Sequence, residues 1–331
     1  MKKLFVLSCV ALATLASCSK SEDIEAPQAQ KEIAFSVATD KSRAPIEGTS
    51  FADGQKIYVS AYNSVSGNYF SGVKFSKAGD TWKAGKYWPV NGVTSFLAYA
   101  ATGEVTATWG DKYADKVEFD ISNGFFNSEA DAETPYIDLL YASGEQAKEK
   151  DYKEVSMKFE HTGAWVVFNV KLGADLTGAK VTLNKFQLAN IFKGGKLVVD
   201  NTTYAGAKAS WDFEGVRAAD YDVQSFTTLT QLKADTKDPQ GNVTAKGDYT
   251  FGAIIPEQNQ TAIKFNYTLT STATTAAFTP QTATYEYPLS RFDKWVMGKK
   301  YVYDITITFN EIEIKPSVTD WGTPSESDVQ I

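Results

Sequence analysis

The sequence predicts an all-β protein built as two β-sandwiches in tandem, and three observations carry that expectation. Apolar residues recur at every second position in run after run, as in Ile263, Phe265, Tyr267 and Leu269 against Lys264, Asn266 and Thr268. That period turns one face of a strand to a core and the other to water. No stretch keeps a 3.6-residue apolar period for three turns between caps. Clusters of Gly, Asn, Asp and Pro interrupt the chain about every ten residues, the spacing of turns between short strands. A length of 331 residues with 43 % apolar and 13 % aromatic content suits two folded domains, since a disordered chain would be poorer in aromatics and richer in charge.

Taken in chain order, the first element is an address. Met1, Lys2 and Lys3 precede the apolar run Leu4 to Leu15, which is too short to span a bilayer and has the shape of a signal peptide over residues 1–17. Leu15-Ala16-Ser17-Cys18 resembles the lipobox of bacterial lipoproteins, so Cys18 is the expected lipidation site. The acyl chains, at ~0.8 kcal/mol per buried CH₂, would hold the mature protein at a membrane without a transmembrane segment. Residues 18–30 are polar and acidic, as in a solvated, lipidated tether.

Ile33, Phe35 and Val37 then alternate with Glu32, Ala34 and Ser36 in a first strand. It runs into a polar linker where Pro45 and Gly48 discourage continuation. Arg43 lies in that linker and is the first of only three arginines, with Arg217 and Arg291, beside 30 lysines (33 − 3). A trypsin-like protease cutting after Arg43 would release the first strand and unroof an apolar surface, and such a groove accepts a replacement strand from another subunit. A loop arginine without a role is the other reading.

Further strands are expected at Ile57, Val59 and Ala61, and at Val117, Phe119 and Ile121. Short helical turns are expected around residues 134–141 and 215–232. The charged run at residues 144–153 marks a boundary between an N-terminal sandwich, 31–152, and a C-terminal sandwich, 153–331, with residues 155–159 opening the second. A long hairpin loop within one sandwich is the alternative. Thr/Ala-rich residues 268–284 read as a β-hairpin.

Near the end, Tyr301, Tyr303, Ile305, Ile307 and Phe309 face inward at odd positions, whereas Ile312 and Ile314 are even. A regular strand cannot make that switch; a bulge, a tight turn or a strand leaving for another partner can. Ile312, Ile314, Val318 and Trp321 form a candidate donor strand, a final strand folded back on its own domain being the alternative.

Chemistry is narrowed by what is scarce. One histidine, His161, and two cysteines, Cys9 and Cys18, leave nothing with which to build a triad, a Cys-His dyad or a His/Cys zinc site. His161 reads as a hydrogen-bonded strand residue. The net charge of −7, falling to −9 once Lys2 and Lys3 leave, argues against nucleic-acid binding. No enzyme activity, cofactor or metal is expected, a carboxylate-dependent glycosidase drawn from the 40 acidic residues being a third and lower-ranked alternative. Residues 235–242 have calcium-loop residue types at a spacing that matches no EF-hand. Tyr69, Phe70, Trp82, Tyr87 and Trp88 cluster in sequence and are read as hairpin packing, with a glycan platform as the alternative.

Together these residues resemble the fimbrillin family of Bacteroidales, the lipoprotein subunits of type V pili. The resemblance rests on the lipobox, Ser42-Arg43-Ala44, Gly48-Thr49-Ser50-Phe51 and Tyr87-Trp88-Pro89 leading to Phe96-Leu97-Ala98-Tyr99. It continues through Phe159-Glu160-His161, Ile254-Ile255-Pro256-Glu257-Gln258, Trp295 to Gly298 with Tyr301-Val302-Tyr303, and Asp320-Trp321. It implies two transthyretin-like β-sandwich domains, lipoprotein export, cleavage after a basic residue past the first strand, and polymerisation by donor-strand exchange involving the C-terminus. Its implied partners are other fimbrial subunits, a maturation protease and the outer membrane. A stalk subunit supporting adhesion or biofilm formation is the expected role; an anchor, a tip or a surface glycan-binding lipoprotein is the alternative.

Overall fold

Alternating burial organises the structure strand by strand. The computed structural model describes residues 31–39, 51, 55–125, 137–147, 154–274, 277–289, 294–308 and 312–320, and among them the chain forms strands and no helix. The strands are β1 (Phe35–Thr39), β2 (Lys56–Asn63), β3 (Gly67–Ala78), β4 (Thr81–Lys83), β5 (Val93–Ala101), β6 (Ala107–Trp109) and β7 (Lys116–Asp120). There follow β8 (Leu139–Ala147), β9 (Val155–His161), β10 (Ala164–Leu172), β11 (Ala179–Ile191), β12 (Lys196–Asp200), β13 (Lys208–Asp212) and β14 (Ala219–Gln231). The last are β15 (Thr236–Lys237), β16 (Val243–Ala245), β17 (Tyr249–Ile255), β18 (Ala262–Ser271), β19 (Gln281–Pro288), β20 (Lys299–Ile307) and β21 (Ile312–Asp320).

The first unit is a closed barrel in the order β1-β4-β3-β2-β5-β8-β9. Ile33, Phe35, Ile57, Val59, Phe75, Phe96, Met157 and Phe159 fill it. β5 is buried on both faces. Phe96, Ala98 and Ala100 point to the barrel core, while Leu97 and Tyr99 join a second core outside it. That outer face is covered by a four-stranded sheet, β13-β12-β7-β6, which contributes Val117, Phe119, Leu197 and Val199. Tyr99 meets Phe119 edge to face at 5.0 Å, and its burial pushes the phenol up to about 12. Two-sided burial explains why β5 reads Phe96-Leu97-Ala98-Tyr99 rather than as an alternation.

The second unit packs the sheet β17-β10-β20-β21 on the sheet β14-β11-β18-β19. Phe168 on β10 meets Phe186 on β11 at 4.6 Å and stacks on Tyr303 of β20 at 5.3 Å. The buried polar tips are satisfied: Trp295 Nε1 donates to Tyr303 Oη, and Tyr303 Oη to Gln260 Oε1, each at 2.9 Å.

Several expectations change on this frame. The helical turns at 134–141 and 215–232 are overturned where the structure describes them, because residues 139–141 open β8 and residues 219–231 form β14. In β14 Tyr221 and Val223 are buried while Asp220 and Asp222 are exposed, a period of two that outcompetes any helical bias. The charged run leads from β8 to β9, neighbours in one sheet through Leu140↔His161 and Tyr141↔Glu160. Residues 155–159 therefore do not open the second unit; they pair in parallel with β1, and Val155, Met157 and Phe159 fill the first core. The Thr/Ala-rich stretch forms the β18–β19 hairpin. The parity switch near the end has a simple cause. β20 and β21 are antiparallel neighbours with Ile307 opposite Ile312 and Ile305 opposite Ile314, so odd and even residues share one face across the pair.

Candidate functional site

The site follows from how the barrel closes. β1 lies between β4 and β9, meeting β4 only at Phe35↔Trp82 and β9 over five parallel residue pairs, from Phe35↔Val155 to Thr39↔Phe159. Just before it, residues 31–33 are stitched to residues 86–88. Ile33 N donates to Lys86 O at 2.7 Å, and Trp88 N to Lys31 O at 3.0 Å. Gly85 N donates to Glu32 Oε1 at 2.9 Å. Apart from the Tyr87-Trp88-Pro89 cluster itself, nothing in the residue pattern signals this second set of partners.

Ile33 and Phe35 are fully buried, and Val37 is partly buried against the same core. The Phe35 ring sits edge to face with Phe75 at 4.9 Å and Phe96 at 5.1 Å. Two fully buried side chains at ~1.5–3 kcal/mol each make ~3–6 kcal/mol of burial that depends on this one strand. Phe51, on the other side of the linker, is buried too, edge to face with Trp82 at 5.5 Å and Phe159 at 5.2 Å. Arg43 thus lies between two segments anchored in one core. Arg43 itself, with residues 40–50, lies outside the described residues, as do Cys18, Trp321 and the signal and tether segments.

The candidate donor strand is β21, the edge of its sheet. Opposite it on β20 the inward residues Tyr301, Tyr303 and Ile305 are buried, yet Ile314 is only half-buried, Pro316 is exposed and Val318 is 54 % exposed. Ile312 starts this strand. An apolar face that its own sheet leaves largely uncovered is the type of strand that can be moved to a better pocket. Lys299 and Asp320 pair across it, an exposed contact of little weight.

The aromatic cluster resolves into packing. Trp82 and Trp88 are each 3 % exposed, and Phe70 is buried with them, which agrees with the packing reading and leaves the alternative of a glycan platform without an exposed indole face. Trp88 meets Phe96 edge to face at 5.7 Å. Only Tyr69 and Tyr87 of the five are exposed, at 36 % and 46 %, and Tyr69 Oη donates to Tyr87 O at 2.6 Å. Trp88→Ala is expected to lower stability by about 3 kcal/mol through the cavity it leaves; denaturant unfolding of the purified chain measures it.

The remaining polar candidates are engaged within the fold. His161 Nδ1 lies 2.9 Å from Asp138 Oδ1 with both side chains buried, joining the end of β9 to the start of β8. In the 235–242 segment Asp238 accepts hydrogen bonds from Gln240 N and Asn242 N through Oδ1, and from Asn242 Nδ2 through Oδ2. The Asn242 side chain is the main cause holding its carboxyl below the ordinary range. Asp235 is held low by the Gly247 amide and by Lys171, 2.7 Å away. Burial opposes the charge of Lys171, but Asp235, Asp248 and Asp304 outweigh it and raise the ammonium's pKa. These carboxylates close turns and pair with lysine.

A family model described as fimbrillin-like matches residues 42–321 of the chain. Among solved structures, a candidate cell adhesion protein from Bacteroides uniformis aligns with 88 % of this chain and 98 % of its own at 17 % identity, with a TM-score of 0.51. A fimbrial protein from Bacteroides vulgatus aligns with 87 % of this chain and 99 % of its own at 15 % identity, with a TM-score of 0.50. At such identities the likeness is one of fold. No curated protein matches the chain.

Proposed function

The chain belongs to the fimbrillin-like family, and from that premise we propose that it is a structural subunit of a cell-surface fimbria that polymerises by strand exchange. In this reading the subunit is exported as a lipoprotein through Cys18 and reaches the outer membrane. A trypsin-like protease cuts after Arg43, the first strand leaves, and a strand from the next subunit takes its place. Polymerisation supports adhesion or biofilm formation and needs no active site. The reading takes the chain as two transthyretin-like units, expected at 31–152 and 153–331; Val155–His161 pairs within the barrel, and β12 and β13 join β7 of the N-terminal half in one sheet.

The observation that carries the reading is the position of β1. It closes a barrel, is covered on its inner face by Phe75 and Phe96, and is followed by a linker containing an arginine and then by Phe51, an independent anchor in the same core. A cut in that linker separates the strand from the body while leaving the body's own anchor in place. The proposed donor is β21, whose Ile314 and Val318 are not fully buried at home.

Truncation after Asn310 tests the donor. The truncated chain is expected to be secreted and to fold, since the buried residues of β20 remain, and to form no polymer. Polymer yield equal to that of the full chain would remove Ile312, Ile314, Val318 and Trp321 from the mechanism; a circular dichroism melt of the truncated subunit separates loss of the donor from loss of the fold.

A further inference from the structure

The edge strand β19 has a use that the fimbrial reading does not require. We propose that two copies of this chain pair side by side through β19, antiparallel about a two-fold axis, to make one continuous eight-stranded sheet from two sheets of the order β14-β11-β18-β19.

An edge strand offers a row of unpaired backbone groups, and proteins commonly blunt it with lysine, internal proline or charge. The edge at β21 is blunted in that way: Pro316 stands in its middle, and Glu313, Lys315 and Asp320 line it. β19, Gln281–Pro288, has no lysine, and its only proline is its last residue. Among the described residues its sole strand partner is β18, and all but one of its residues are exposed. Its single charge, Glu286, is already met by Lys264 at 3.4 Å, which also holds Asp220 at 2.8 Å. The edge is eight residues long, carries a single charge and is exposed.

Symmetry and pattern choose the occupant. For each face to continue as the same face, residues opposite one another must share parity, so the axis passes through a residue. With the axis at Thr284, each Glu286 faces Thr282 of the partner subunit. The two Glu286 side chains then lie about 14 Å apart along the strands, beyond a Debye length of about 10 Å. On the outer face a ladder of polar side chains already runs to the edge. Asn184 donates to Asn266 Oδ1, Asn266 donates to Thr284 Oγ1, and Thr268 and Thr282 share a hydrogen bond. Thr284 opposite Thr284 of the partner subunit extends the ladder by one rung. On the inner face Tyr285, 42 % exposed and 5.6 Å from Phe265, gains cover from Ala283 of the partner subunit. A strand of another protein would not be bound to that two-fold register, which is what the test reads.

The test uses the full, uncut chain with Cys9 and Cys18 replaced by serine, so that β1 stays in its slot. Thr284→Cys is expected to give a disulfide-linked dimer on mild oxidation, because directly opposite Cβ atoms lie about 4.5–5.5 Å apart and a shift of about 1 Å at an exposed edge brings them to the about 3.5–4.5 Å of a disulfide. Thr282→Cys, displaced by four residues from its copy, is expected to give at least about tenfold less. Thr284→Lys should convert the dimer seen in sedimentation into monomer while the melting temperature stays within about 2 °C. Equal crosslinking at both positions, crosslinking at neither, or a dimer unaffected by Thr284→Lys overturns the proposal. Failure of strand exchange in a cut subunit would leave each of these results as it stands.

Discussion

Arg43→Ala is expected to stop fimbria formation, with polymer falling to background while folded subunit accumulates uncut. The physical reason is occupancy. As long as β1 is covalently attached, it remains at the slot at an effective concentration on the order of millimolar, and an incoming strand must displace Ile33 and Phe35 from full burial. Cutting the linker converts the same strand into a free peptide that dilutes away. Lys at position 43 should restore polymer if the protease accepts either basic side chain, and a quantitative immunoblot of surface material reads both variants. Polymer at the level of the unmodified chain from Arg43→Ala would place the processing elsewhere.

Phe35→Ala is expected to have opposite consequences before and after processing. In the uncut subunit the ring is fully buried between Phe75 and Phe96, so its loss should cost about 3–5 kcal/mol, a shift readily seen in denaturant unfolding. In the finished polymer the residue has departed with the first strand, and the stability of the polymer should equal that of the unmodified protein. Phe75→Ala, which alters the wall of the slot rather than its first occupant, should weaken both. A polymer destabilised by Phe35→Ala would mean that β1 stays in its barrel.

How far the sequence could be read depends on what alternation encodes. Period two marks which face of a strand is buried, and it located Ile33, Phe35 and the inward residues Ile263 and Phe265 of β18 directly, whereas the β18–β19 hairpin was read from Thr/Ala-rich composition. It carries no information about which strand lies beside which. Residues 155–159 alternate as well as any strand, and nothing in Val155, Met157 or Phe159 announces that their neighbour is β1, more than a hundred residues earlier. The charged run before them resembles a domain linker in composition, yet it joins two strands of one barrel. The helical reading of residues 215–232 failed because the buried Tyr221 and Val223 and the exposed Asp220 and Asp222 obey the strand period.

Within the site, the inward residues of the first strand and the parity switch near Asn310 were legible, because each is a local property of spacing. The structure accounts for the switch by pairing β20 with β21 as antiparallel neighbours, Ile307↔Ile312, where the sequence allowed three explanations. The aromatic cluster was ambiguous for a different reason. An indole under a sheet and an indole under a sugar have the same sequence signature, and only the 3 % exposure of Trp82 and Trp88 separates them. Phe51 appeared in the sequence as part of a motif; its role as the anchor that stays behind emerges from its contacts with Trp82 and Phe159.

The most direct test of strand exchange is the intact mass and N-terminal sequence of the protein recovered from the cell surface, with its migration in SDS before and after heating. The account predicts a chain that begins at Ala44, carries no lipid, and runs as a ladder of oligomers that collapses to monomer on boiling. A lipidated chain that begins at Cys18 and migrates as monomer would contradict it.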